Sequence, residues 1–227
     1  MLLHGGFCTL EPLRPLAEVL AAHFTVYAYE RPGHGRTPDV EGAYSYEGGA
    51  AELLAFLDAR GLDSAHVVGF SDGAVIALML AIGHPERVRS LVAISANFAP
   101  SGFTGTFDEV APADLVTAFE PTRQLYGALS PDGPGHADVV LAKLAELWAT
   151  GPQIAPETLG SVSAPSLIVS GEFDTIHPEH SRLIAGSIAH SRLYIVPGAT
   201  HDLVEQHRDQ VIALVSDFVL PLRDIQH

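Results

Sequence analysis

The sequence has little cysteine and little positive charge. Its 227 residues include one cysteine, Cys8, which excludes an internal disulfide and a metal cluster held by cysteines alone. Twelve basic against 27 acidic residues give a net charge of −15. That charge argues against a basic nucleic-acid-binding surface and disfavours contact with an anionic membrane.

Long apolar runs and a secretion leader are also missing. No apolar run approaches the ~18 residues that a membrane-spanning helix needs. The first ten residues, MLLHGGFCTL, lack the basic start and apolar core of a signal peptide. We therefore expect a soluble, cytoplasmic protein with no nucleic-acid or membrane partner.

The composition and the pattern of apolar runs predict an α/β fold. A hydrophobic fraction of 47% with 17% charged residues is typical of a globular domain. Short β-branched runs alternate with amphipathic helical patterns, and each run is apolar throughout, which indicates strands covered on both faces. The pattern thus favours a mostly parallel sheet flanked by helices on both faces. The predicted strands are 25–29, 66–69, 91–95, 167–170 and 193–196 with a stub at 1–3, and the predicted helices are 13–23, 46–60, 73–83, 178–188 and 203–219.

Residues 98–162 break this alternation. Clusters of proline and glycine (APSG, SPDGPG, TGPQ) surround two helical patterns, at 113–129 and 136–150, and no strand-like run occurs between them. We expect a small helical cap at 98–162, inserted into a core formed by 1–97 and 163–227.

The segment GFSDG at 69–73 carries the clearest chemical motif. It has the pattern G-x-S-x-G, it follows the apolar run HVVG, and it opens the helical run AVIALMLA. This strand–turn–helix context is the one in which the pattern forms a nucleophile elbow. The sharp turn raises the Ser71 hydroxyl above the sheet edge and aims the Asp72 backbone N–H at negative charge formed there. The alternative is a structural glycine-rich turn with a capping serine.

A serine nucleophile needs a base and an orienting acid, and both follow later strands. His201 lies in the loop after the last predicted strand, and Asp174 lies after the strand before it. The order Ser71, Asp174, His201 is the order found in α/β-hydrolases. Glu172 is a rival acid because it is nearer to the strand end. Asp202 is more typical of a helix N-cap.

The oxyanion of such a reaction needs a second N–H donor besides Asp72. The segment HGGF at 4–7 follows the strand stub, and its small residues allow the backbone to approach a substrate. The backbone N–H of Gly6 or of Phe7 is therefore the expected donor. A plain strand-to-helix turn is the alternative.

Four side chains are candidates for substrate binding. The Asp72 carboxylate either faces the pocket and attracts a cation, such as the amino group of an amino-acid ester, or is a helix N-terminal acid favoured by the dipole. Phe119, Tyr126 and Trp148 lie on the cap helices, and we expect one or two of them to line the pocket. The loop RPGHGRT at 31–37 is interpreted as a turn under the cap.

Taken together, the segments HGG, RPGHGRT, GFSDG, HPERVRSLV, GEFD and GATH resemble the α/β-hydrolase superfamily, in family order. The resemblance implies an eight-stranded, mostly parallel sheet, a site at the carboxyl ends of the strands and a cap after the sixth strand. GFSDG followed by HPERVRSLVAISANFAP is similar to the valacyclovir-hydrolase-like (biphenyl-hydrolase-like) esterases. Serine at the nucleophile position argues against the haloalkane dehalogenases and epoxide hydrolases of this fold, which use aspartate.

The implied activity is hydrolysis of small carboxylic esters, amino-acid esters among them, through an acyl-enzyme. Ser71 would attack, His201 would remove its proton and Asp174 would orient the imidazole, with no metal or organic cofactor. A C–C bond hydrolase acting on meta-cleavage products, or a lactonase, would use the same residues. A non-catalytic sensor of a small ligand is the alternative of another class.

Members of the family begin with an antiparallel β-hairpin ahead of the HGG strand, and here that hairpin is expected to be missing. The predicted strand at 25–29 would then lie at a sheet edge with unpaired backbone groups. A partner chain, a covering loop or further residues of a longer gene product could pair with it. We hypothesise a homodimer through this edge or the face nearby, which a monomeric mass in solution together with a bare strand in the structure would reject.

Overall fold

Five parallel strands form the sheet in the part of the chain that the structure describes. The computed structural model describes residues 1–104 and 119–223. Within them the strands pair in chain order, each parallel to the next. This confirms the predicted parallel sheet. The strands are β1 (Leu2–Leu3), β2 (Ala65–Phe70), β3 (Val88–Ile94), β4 (Ser166–Gly171) and β5 (Ser191–Val196).

Helices cover both faces of the sheet, as the apolar runs predict. Successive residues of a strand point to opposite faces, so Leu91 and Ala93 of β3 pack into one core, while Val92 and Ile94 pack into the other. The helices are α1 (Arg14–Leu20), α2 (Tyr46–Ala59), α3 (Asp72–Gly83), α4 (Glu120–Leu129), α5 (Ala137–Thr150), α6 (Pro178–Ser187), α7 (Leu203–Gln206) and α8 (Arg208–Val219). The first core contains residues of α2, α3 and α5, and the second contains residues of α1, α7 and α8.

Three expectations about the elements are wrong. The predicted strand at 25–29 contributes only one bridge, Ala28 to Leu2, with the Leu2 N–H donating to the Tyr27 carbonyl at 2.9 Å. Strand β1 has only two residues, so the segment 25–29 has no longer partner strand with which to pair. The described residues form five strands where the resemblance implies eight. The predicted helix 203–219 is divided at His207, whose φ of −117° and ψ of 35° leave the helical region.

The segment between β3 and β4 carries α4 and α5, at positions close to the predicted cap helices. The first part of the predicted helix 113–129 lies outside the described residues. Leu144 and Trp148 of α5 are buried in the same core as residues of α2 and α3. The division into core and cap stays a prediction, as does the homodimer. In the described ranges no helix combines the length and apolar character needed to cross a bilayer.

Candidate active site

Ser71 sits in the sharp turn between β2 and α3. Its φ of +53° and ψ of −120° place a non-glycine residue in the sparsely populated region of positive φ. The turn is tight because the strand and helix touch: a Cβ built on Gly69 would lie 2.2 Å from the Gly73 carbonyl oxygen. The glycine at 69 therefore lets the chain reverse and present the Ser71 hydroxyl at the carboxyl end of β2.

The structure brings Ser71, His201 and Asp174 into one chain of hydrogen bonds. His201 Nε2 lies 3.0 Å from Ser71 Oγ, and His201 Nδ1 lies 2.7 Å from Asp174 Oδ1. Glu172, the rival acid, is exposed and accepts the Gly198 N–H at 2.8 Å instead. Asp202 occupies the N-cap position of α7, although its side chain makes no capping hydrogen bond.

The Asp174 carboxylate is held by donors that sequence reasoning missed. Its Oδ2 accepts hydrogen bonds from Ser95 Oγ at 2.6 Å, Ser170 Oγ at 3.2 Å and the Gly171 N–H at 3.1 Å. Burial raises the pKa of Asp174, but the hydrogen bond and charge of His201 and these donors outweigh it and lower the pKa to about 2. Asp174 is thus an anion at neutral pH. Serines at the ends of two neighbouring parallel strands were the available signal.

Of the two candidates for the second oxyanion donor, the structure favours Gly6. The Phe7 N–H already donates to His34 Nε2 at 3.1 Å, so the interpretation of Phe7 as a donor is corrected. The Gly6 N–H has no hydrogen-bond partner within the described ranges, and Gly6 lines the same cavity as Ser71. The Asp72 N–H opens α3, where helix N–H groups have no intrahelical acceptor.

A cavity of about 550 Å³ opens in front of these groups. Phe119 and Trp148 line it as predicted, with ring centroids 5.7 Å apart. Tyr126 does not line it, so Tyr126 is corrected as a substrate-binding candidate: its buried ring stacks on Phe7, with the ring centroids 5.8 Å apart. Further aromatic and aliphatic walls come from Phe70, Phe103 and Val204.

The Asp72 carboxylate does not face this cavity. It is buried and accepts hydrogen bonds from Tyr46 Oη at 2.9 Å and Trp148 Nε1 at 3.0 Å. Arg31 Nη2 lies 3.4 Å from its second oxygen. Because its partners are side chains of the protein, the interpretation of Asp72 as a substrate-binding anion is corrected, and the hypothesis of cationic-ester recognition loses its basis.

Two buried histidines support the HGGF turn. His4 Nε2 accepts the Arg31 backbone N–H at 3.0 Å, and His34 Nε2 accepts the Phe7 N–H. Burial, with the nearby Arg31 charge, lowers the pKa of His4 to about 3 and holds the pKa of His34 well below its ordinary value. Both imidazoles are therefore neutral acceptors at pH 7.

These histidines predict acid lability. The unfolded chain protonates them near pH 6.5 and the folded chain does not, so the free energy of unfolding should fall as the pH drops below 6.5, by about 1.4 kcal/mol per pH unit for each group. Asp174 adds to the loss only below its unfolded pKa of about 3.9. Urea unfolding between pH 7.5 and 5 measures the slope. His34→Gln should make it shallower and the exposed control His23→Gln should not; a stability that is flat over this range would contradict the prediction.

Comparison with known proteins identifies the family. Residues 1–214 match the model described as the alpha/beta hydrolase family. A pimeloyl-[acyl-carrier protein] methyl ester esterase of Chromobacterium violaceum is 31% identical over 238 residues, covering 95% of this chain and 89% of the relative. The protein of the same name from Neisseria meningitidis serogroup C is 30% identical over 241 residues, with 96% and 92% covered.

Solved structures agree on the fold. The meta-cleavage product hydrolase of Pseudomonas fluorescens IP01 superposes with a TM-score of 0.77 at 19% identity, covering 97% of this chain and 89% of the other. The enol-lactonase of Burkholderia xenovorans LB400 gives 0.76 at 22% identity, with 96% and 90% covered. The predicted superfamily is confirmed, and the predicted enzyme class agrees with the names of the sequence relatives, while the narrower valacyclovir-hydrolase-like branch stays a prediction. The chain belongs to the alpha/beta hydrolase family.

Proposed function

We propose that this protein is a serine hydrolase that cleaves small carboxylic esters through an acyl-enzyme on Ser71. The observation that carries the proposal is the hydrogen-bond chain from Ser71 through His201 to the buried, anionic Asp174, at the wall of an apolar cavity. Cys8 also lines the cavity, but burial raises the pKa of its thiol to about 11, so it is not a thiolate nucleophile at neutral pH.

The proposed reaction follows from this geometry. Ser71 Oγ attacks the ester carbonyl carbon while His201 Nε2 takes its proton, and Asp174 stabilises the resulting imidazolium. The N–H groups of Gly6 and Asp72 hold the oxyanion. The tetrahedral intermediate collapses, the alcohol leaves with the proton from His201, and water then repeats the sequence on the acyl-enzyme to release the acid and restore Ser71.

The charge around the cap favours free esters over esters carried on an acidic protein. Residues 98–162 contain eight acidic and two basic residues. Both cations are already ion-paired: Arg123 contacts Glu120 and Asp138, and Lys143 lies 2.7 Å from Asp39. A carrier protein rich in carboxylates would thus meet like charge at the cap. We therefore propose a small, uncharged ester as the substrate, unlike the carrier-bound ester named for the sequence relatives.

Two substrate sets test this proposal. We expect turnover of p-nitrophenyl acetate and butyrate and of the methyl esters of short acids. A methyl ester of an acyl chain on acyl carrier protein should show at least about tenfold lower kcat/KM at low salt, with the gap narrowing as salt screens the repulsion. A preference for the carrier-bound ester would reject the substrate class.

The same assay separates the alternatives. A sensor would release about one equivalent of p-nitrophenol per protein and then stop, whereas an enzyme continues. Failure on all esters with turnover of a lactone or of a meta-cleavage product would favour those activities. A cytoplasmic location, favoured by the single cysteine, completes the proposal.

A further inference from the structure

The loop 31–37 forms a turn, as interpreted from sequence, and it also contacts the HGGF segment that contains the candidate oxyanion donor. Arg31 Nη2 donates to the Gly5 carbonyl at 3.0 Å, and the Arg31 backbone N–H donates to His4 Nε2. Three residues on, His34 Nε2 accepts the Phe7 N–H. The loop therefore holds the HGGF turn through three hydrogen bonds.

The Gly5 carbonyl and the Gly6 N–H belong to one peptide unit. Because His4 Nε2 is an acceptor in a neutral ring, its Nδ1 carries the proton and donates to the Gly5 oxygen at 2.7 Å. The carbonyl is thus fixed by two donors, His4 and Arg31. In a trans peptide the C=O and N–H point in opposite directions, so a fixed carbonyl fixes the direction of the Gly6 N–H. A cationic donor on the oxygen also polarises the N–H at the other end.

The Arg31 guanidinium also contacts Asp72, the residue that follows Ser71. Arg31 and Asp72 form an ion pair whose side chains are 9% and 3% exposed. The Asp72 backbone N–H is the other candidate oxyanion donor. The ion pair thus connects the two segments that supply the two donors, and neither side chain lines the cavity that the substrate would occupy.

We propose that Arg31 is a positioning residue for the oxyanion hole. Its guanidinium, held by the Asp72 carboxylate, fixes and polarises the Gly5–Gly6 peptide so that the Gly6 N–H meets the developing oxyanion. The inference rests on the proposed function, because it assigns Arg31 a role in the acyl transfer at Ser71.

The test is the double variant Arg31→Gln/Asp72→Asn. Removing either charge alone would leave its partner buried and unpaired, which destabilises the fold. The double variant removes both charges together and leaves a neutral amide at each position, the one at position 31 on a shorter side chain than that of arginine. We expect kcat for p-nitrophenyl butyrate to fall about 10- to 100-fold with KM within about twofold, because the lost interaction acts in the transition state. Affinity for butylboronic acid, which forms a tetrahedral adduct on the serine, should fall in parallel.

Two single variants keep the test decisive. Arg31→Lys retains the charge beside Asp72 but not the planar guanidinium that also reaches Gly5. It should therefore lower kcat as well, by less than the double variant does. Arg36→Gln, in the same loop but half exposed and paired with Glu11 and Glu30, is the matched control and should leave kcat unchanged.

The outcomes separate the two proposals. Unchanged kcat and boronate affinity in the double variant, or equal losses in kcat, KM and thermal stability, would overturn the role of Arg31. If the wild type hydrolyses none of the substrates tested and an organophosphonate does not label Ser71, the proposed function itself fails. An active wild type with an inactive Ser71→Ala variant and an unaffected double variant rejects the positioning role alone.

Discussion

Ser71→Ala should lower kcat for p-nitrophenyl butyrate by at least about 10³-fold, because it removes the only atom proposed to form the acyl-enzyme. Its hydroxyl hydrogen-bonds to His201 and lies at a cavity wall, so the loss should leave a stable fold. KM and the melting temperature should stay close to those of the wild type. Steady-state kinetics and a thermal melt of the two proteins measure the effect.

The role proposed for Asp174 is tested in the same assay as Ser71→Ala. Asp174→Asn should also cost several orders of magnitude in kcat, since the amide cannot stabilise the His201 cation. Glu172→Gln, two residues away on the same loop, is the matched control and should stay within about twofold of the wild type. Combining Ser71→Ala with Asp174→Asn should add little further loss, because residues that act as a unit are not additive. A Ser71→Ala variant with a tenth of wild-type activity would contradict the assignment.

Local patterns account for what the sequence predicts well. The apolar runs at β2, β3 and β4 are recognisable because these strands are covered on both faces and must be apolar throughout, whereas β5 is last in the sheet order and exposes Arg192 and Tyr194. The positions of Ser71, Asp174 and His201 follow from a topological rule: parallel strands bring their carboxyl ends, and the loops after them, to one edge. For that reason Asp174 and His201, which are 103 and 130 positions after Ser71 in the chain, lie beside it at this edge.

What the sequence does not predict depends on contacts between distant segments. The Phe7 N–H donates to His34, 27 residues away, and no residue near Phe7 in the sequence predicts this hydrogen bond. The Asp72 carboxylate meets Tyr46 and Trp148, which come from α2 and α5. Helical spacing places Tyr126 on a cap helix but does not say which face meets Phe7 and which meets the cavity. Such contacts are set by how distant elements pack against each other, and no local pattern in a single sequence shows which residues will meet.

Gly73→Ala should lower the free energy of unfolding by about 3 kcal/mol, and so the melting temperature by about 6–12 °C, through overpacking against rigid backbone. A Cβ at Gly73 would lie 2.4 Å from the Leu3 carbonyl oxygen and 2.6 Å from that of His4. These carbonyls belong to β1 and the HGGF turn, and they cannot move without shifting the Gly5–Gly6 peptide.

Gly83 is the matched control for this substitution. It lies in the same helix, α3, and a Cβ there would meet nothing within 4 Å. Gly83→Ala should therefore be neutral or stabilise the protein by up to about 1 kcal/mol, because alanine loses less backbone entropy in a helix. Thermal and urea unfolding of both variants measure the difference. Equal stability of Gly73→Ala and Gly83→Ala would show that the turn at Ser71 tolerates a side chain facing β1. The close approach of α3 to the HGGF turn would then not require a glycine at position 73.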